Sequence, residues 1–425
     1  MQAIIVGGGW SGLAAAIELS PHYDVQIFEA GAILGGRARS VRWQNLDVDN
    51  GQHLMLGAYR QMLDLMQKIG VDPDAVFSRQ TLDLSIFDPQ HALLKISSLG
   101  HLPATLNQIL HIWRSAGFKS VLAVRRLQVQ LRKHDDLSTL TVAHLLQLTK
   151  QSPRLIRQLW EPLTLAMLNT PIQTASAEVF ANVLNASLFA DGKATELLIP
   201  KQPLNEVFPA PAAAFLTKQG AEINLNNRVQ SLLISNNRVT GIVDQAGEQH
   251  FADVVILALP SSALAKLLPD TQNFTPSEEY PICMLYLQYD ASLRAPNSMT
   301  GFSGTLSQWL FDRSFQRPGL MAVVISGPGA HMQLTKAQLV TTVSAELARL
   351  LPDWPLSAED VLVIREKRAT FVSTINTQKI RPESQTGIEN LWLAGDFVKH
   401  RLPSTLETAI SNGQYCARHI LQIVD

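Results

Sequence analysis

Cysteine is almost missing from this chain. Cys283 and Cys416 are the only two in 425 residues, far apart and without a C-x-x-C. That excludes a disulfide framework, a zinc ribbon and a dithiol relay, and it suits a reducing cytosol. No histidine and cysteine spacing fits a metal site, so no metal is expected. No G-x-S-x-G elbow occurs, which removes a serine-hydrolase reading. Apolar runs are all shorter than the ~18 residues that would cross a bilayer as a helix. The first strand starts at the third residue, leaving no room for a signal peptide, and a cytoplasmic location is expected. Net charge is only −1, which gives no reason to expect nucleic acid as a partner. One absence is local. From Pro89 to His134 there is no Asp or Glu, while Lys95, Arg114, Lys119, Arg125, Arg126, Arg132 and Lys133 are all present.

What is there is a greasy globular chain, 46% apolar and 17% charged, long enough for two or three domains. It opens on a motif. Ala3–Val6 reads as a buried parallel strand, Gly7, Gly9 and Gly12 follow as G-x-G-x-x-G, and Leu13–Leu19 reads as a helix. Gly7 permits a tight turn, Gly9 lets backbone approach a pyrophosphate, and Gly12 lets helix and strand pack closely. The helix N-terminus offers free N–H groups to the phosphates. A second strand, Val25–Phe28, ends at Glu29, 22 residues after Gly7, where a carboxylate can accept from a ribose diol. The fingerprint alone leaves NAD and FAD open. "LGGRARS" follows, with Gly35, Gly36, Arg37 and Arg39. A second glycine turn with cations suits a cofactor of longer body, although solvated arginines on an ordinary loop fit too.

Further along, a helix is expected near Tyr59–Ile69, and residues from about 80 to 205 read as mostly helical, broken at Pro103, Pro153, Pro171 and Pro200. Residues 228–260 read as strands joined at "NN" and "AGE", ending in the buried run Val254–Leu259. Residues 281–325 mix strands with aromatic residues. Residues 335–351 carry Leu339, Val343, Leu347 and Leu350 at helical spacing. "NLWLAGDFV" at 390–398 is a buried strand stopped by Gly395-Asp396, with a helix after it. The fold class expected is α/β: a discontinuous Rossmann-like domain of residues 1–78, 206–268 and 384–425, with a mixed, helix-rich substrate domain of 79–205 and 269–383.

This ordered set resembles the flavin amine oxidase and carotenoid desaturase superfamily, through "GGGWSGLAAA", Glu29, "LGGRARS", "DVVILALP" and "LWLAGDFV". The resemblance implies FAD. Gly7, Gly9 and Gly12 would hold the pyrophosphate and Glu29 the adenosine ribose. Gly36, Arg37 and Arg39 would serve the phosphate and flavin side, Val229 would lie near the adenine, and Gly395-Asp396 near the ribityl–phosphate region. With no second G-x-G-x-x-G and few cysteines, FAD is expected to be non-covalent and its electron donor a separate, unidentified partner.

"DNGQHLMLGAYRQML", "LWEPLTLAMLNTP", "REKRATF" and "LWLAGDFVKHRLPSTLETAISNG" narrow the likeness to the hydroxysqualene dehydroxylases of bacterial hopanoid synthesis. That family implies a triterpene substrate, hydroxysqualene, reduced to squalene by hydride from N5 of reduced flavin. Loss of the hydroxyl as water calls for a proton donor. His53 in "NGQH" and Glu161 in "WEPL" are the candidates; a scaffold histidine and a helix-capping or Arg157-paired glutamate are the bland accounts of each. Trp160 and Trp309 are candidates for a greasy tunnel or for core. Alternatives are a carotenoid desaturase, an amine oxidase, or a flavin-free prenyl-lipid-binding protein. The basic stretch 89–134 fits either a peripheral contact with an anionic membrane or a helix pair with a solvated basic face.

Overall fold

Apolar residues at successive positions need a strand buried on both faces, and the first such run sits mid-sheet. The computed structural model describes residues 1–97, 104–133, 136–190, 192–268, 274–275 and 277–424. Its parallel sheet has five strands in the order Glu222–Asn224, Asp24–Phe28, Gln2–Val6, Val254–Leu257 and Leu391–Leu393. Ala3, Ile5, Val254 and Ile256 face helices Trp10–Leu19, Pro209–Lys218 and Leu406–Val424. Ile4, Val6, Val255 and Leu257 face the other way, toward an antiparallel meander of Val229–Ser235, Arg238–Asp244 and Gln249–Phe251. Asn236 and Asn237 turn its first hairpin with φ of 50° and 58°, the left-handed pair that a two-residue turn requires.

A second sheet has seven strands, in the order Asp360–Phe371, Glu279–Gln288, Leu320–Ser326, Trp309–Asp312, Met299–Phe302, Asp83–Phe87 and Leu94–Ser97. Cys283, Leu285, Val323 and Ile325 face the helix Lys336–Leu350, whose Leu339, Val343 and Leu347 are buried. Thr335 and Gln338 close a capping box at its start. Met284, Tyr286, Ala322 and Val324 face a helical layer that includes Phe118–Arg132, Val142–Leu148, Glu161–Leu168 and Ala177–Ala186.

The helical reading from residue 80 needs correction at its start. Asp83–Phe87 and Leu94–Ser97 are strands, and Asp83–Phe87 runs parallel to Met299–Phe302, a partner far downstream. Local periodicity does not reveal such a pairing. The break at Pro103 lies outside the described residues.

Candidate active site

The two glycine turns lie against each other. Gly35 N–H donates to the Gly8 carbonyl at 2.9 Å, and a Cβ on Gly36 would sit 3.1 Å from the Gly9 Cα. Gly36 also has φ of 61°. A Cβ at Gly12 would run into the Gly7 carbonyl, so the close approach of helix to strand needs glycine there. Glu29 is held by backbone: Oε1 accepts from Gly31 N–H at 2.7 Å and Oε2 from Gly8 N–H at 2.8 Å. Its remaining lone pairs are free to accept from a diol.

The C-terminal motif meets the N-terminal one through charge. Arg37 Nη2 pairs with Asp396 Oδ1, while its Nη1 donates to the Ala369 carbonyl at 3.1 Å. Arg39 Nη1 donates to the Gly36 carbonyl at 2.7 Å. The Ser404 hydroxyl donates to Asp396 Oδ2, and Asn412 Nδ2 donates to the Gly395 carbonyl at 2.7 Å. Behind this loop stands Arg381, a residue the sequence did not single out. Its guanidinium donates to the carbonyls of Asp396, Val398, His400 and Leu402. Burial lowers its pKa to about 10, so it stays charged at neutral pH.

A single continuous cavity of about 890 Å³ joins these groups to the interior of the second sheet. Gly7, Gly9, Glu29, Gly36, Arg37, Arg39, Gly395 and Asp396 line one end. Leu84, Leu163, Val183, Leu184, Trp309 and Val324 line the other. Gly12 acts through packing, and Val229, the first residue of the meander, packs into the core while its neighbour Arg228 lines the cavity.

His53 also lines the cavity. Burial pushes its pKa down to about 4, so the imidazole is neutral at physiological pH. Its Nε2 is buried without a hydrogen-bond partner, as is Nε1 of Trp309. Glu161 opens the helix Glu161–Leu168 outside the cavity lining; burial raises its pKa despite the opposing charge of Arg157. Trp160 is core: it is fully buried, its Nε1 donates to Gln151 Oε1 at 2.9 Å, and its ring packs edge-on against Phe180. Of the two tryptophans, only Trp309 belongs to the cavity.

The loop suits a dinucleotide. Beyond the glycine cradle, the Ser11 hydroxyl lines the cavity and is buried without a protein partner, as a group awaiting phosphate oxygens would be. Both cysteines are buried and neither lines the cavity.

The family model for flavin-containing amine oxidoreductases matches residues 10–421. The chain belongs to that family. It is 30% identical to the hydroxysqualene dehydroxylase of Zymomonas mobilis, over 97% of each chain. It is also 30% identical to the hydroxysqualene dehydroxylase of Rhodopseudomonas palustris, over 98% of this chain and 97% of the relative. Among solved structures, an oxidoreductase from Methanosarcina mazei superposes with a TM-score of 0.78 at 14% identity, covering 99% of this chain and 100% of that one, a likeness of fold. As a member of the flavin amine oxidoreductase family, the chain is an FAD-dependent oxidoreductase. The expectations of FAD and of a Rossmann-like α/β fold stand, and the flavin-free reading falls.

Proposed function

We propose that this oxidoreductase works reductively, replacing the allylic hydroxyl of hydroxysqualene with hydrogen to give squalene. The observation that carries this reading is the continuity of the cavity, which has a glycine-lined polar end and an apolar end under one roof. Relatives named for the same reaction support it. Reduced FAD, when bound non-covalently, supplies the hydride. The C–O bond would break as the hydride reaches its carbon, and the oxygen would leave as water with a proton drawn from solvent, because neutral His53 gives a hydrogen bond and keeps its own proton. A separate donor would supply the two electrons spent.

The chain's own residues have three tasks. Gly7, Gly9, Ser11 and Glu29 hold the dinucleotide, with Arg37, Arg39 and Asp396 closing the far side of the polar end. Leu84, Leu163, Val183 and Leu184 exclude water from the hydrocarbon. His53, neutral and lining the cavity, is the group assigned to the leaving oxygen, as a hydrogen-bond donor rather than an imidazolium acid. Glu161 lies outside that lining and takes no step here. A peripheral contact with a bilayer belongs to the reading, since a triterpene partitions into lipid.

The test is anaerobic incubation of purified protein with hydroxysqualene and a chemical reductant. Squalene should form only when reductant is present. Desaturation of a carotenoid precursor, or no squalene from a flavin-loaded protein, would overturn the assignment.

A further inference from the structure

Helices Ala104–Ala116 and Phe118–Arg132 are joined through Gly117 alone, which has φ of 82°. The second helix packs inward through Ser120, Ala123, Leu127 and Leu131. Its opposite face is unusual for a water-facing helix, where charge normally occupies the centre. Phe118, Leu122 and Val129 fall in a strip about 40° wide at the middle of that face. Arg125 and Arg132 border the strip on one side, and Lys119, Arg126 and Lys133 on the other. On the first helix, Leu106, Ile109 and Trp113 repeat at i, i+3 and i+7, with Arg114 beside them. These six apolar side chains are between 39% and 62% exposed. None of the cations on the two helices forms an ion pair among the described residues.

We infer that this helix pair docks the enzyme on an anionic lipid surface, with the Trp113 and Phe118 ridges entering the headgroup boundary and the bordering cations meeting lipid phosphates. Complementarity of charge selects this occupant. The whole chain carries −1, yet the stretch from Pro89 to His134 has seven cations and no carboxylate. An anionic bilayer therefore attracts this face and orients the molecule on it. The docked element backs onto the cavity: Asn185 Nδ2 donates to the Leu131 carbonyl at 3.3 Å, tying it to the helix Ala177–Ala186. Val183 and Leu184 of that helix line the apolar end. The value of docking for substrate supply rests on the function proposed above, whereas the lipid attraction does not.

Co-sedimentation of flavin-loaded protein with phosphatidylcholine vesicles, with and without phosphatidylglycerol, tests it. Binding should require phosphatidylglycerol. It should fall as salt rises from about 0.1 to about 1 M and the screening length shrinks from about 10 to about 3 Å. Trp113→Asp combined with Phe118→Asp should weaken vesicle binding about tenfold or more, with flavin absorbance and turnover in detergent micelles retained. The inference is overturned if wild-type protein stays in the supernatant with anionic vesicles, or if the double variant binds as wild type does. It is equally overturned if sedimentation equilibrium shows a dimer that the double variant splits while neither binds vesicles. Vesicle binding without hydroxysqualene turnover would leave docking standing and remove the proposed reaction; turnover without vesicle binding would do the reverse.

Discussion

His53 carries its consequence in its protonation. Its folded pKa is about 4, below the ordinary 6.5, so the unfolded chain binds a proton first as pH falls. The stability this neutral histidine contributes is complete above pH 6.5 and is lost on the way down toward pH 4. Between pH 7 and pH 5 the wild type should lose about 1–2 kcal/mol more stability than His53→Asn, read from urea midpoints. Comparing the two proteins isolates this residue from His400, whose pKa burial also pushes to about 4. In turnover, His53→Ala should lower the rate about 10²- to 10³-fold with flavin still bound, as loss of one hydrogen-bond donor does, and Glu161→Gln should leave it within a few-fold, about 3 at most. Gly12 is the steric counterpart. Any Cβ there meets the Gly7 carbonyl, so Gly12→Ala should cost about 1–3 kcal/mol and strip flavin from the purified protein, measured as visible absorbance per chain.

Among elements, the loop after Leu391–Leu393 depends on one buried cation. Arg381 donates to five of its carbonyls, those of Asp396, Phe397, Val398, His400 and Leu402, and its guanidinium lies 4.8 Å over the Phe371 ring. Arg381→Ala should cost about 3–5 kcal/mol and release flavin, seen as a lower Tm that added FAD restores only in part. Sequence could not show this. Arg381 sits in "KIRPES", and its role exists only because the chain returns to it from Asp396–Leu402. The glycine turns, Glu29 and Gly395-Asp396 were legible because each is local: a residue type fixed by a turn or a strand end. The helix Lys336–Leu350 was legible through Leu339, Val343 and Leu347. Asp83–Phe87 was not, since its partner strand, Met299–Phe302, is remote, and Ser11 looked like any polar residue between glycines.

Across the whole molecule, the cavity has two ends that can be disabled separately. Val183→Trp should fill the apolar end, leaving flavin absorbance unchanged while raising KM for hydroxysqualene about tenfold or more. Arg37→Ala acts at the other end: it leaves Asp396 buried without its cation and should weaken flavin binding first, measured by titrating FAD into apoprotein. The cofactor motif could be read from the sequence; that it opens onto an apolar cavity is a property of the packed sheets and needed the fold.

The union of Arg37 with Asp396 also sets a calendar for biosynthesis. One half of the cradle is synthesised 359 residues before the other, which follows Leu391–Leu393, the strand that completes the parallel sheet. Throughout that interval a nascent chain holds only half of its grip on flavin, and colour has to wait for Asp396. A polypeptide halted before Leu391 would emerge pale, with the hydrogen-bonding edge of Val254–Leu257 bare and inviting aggregation.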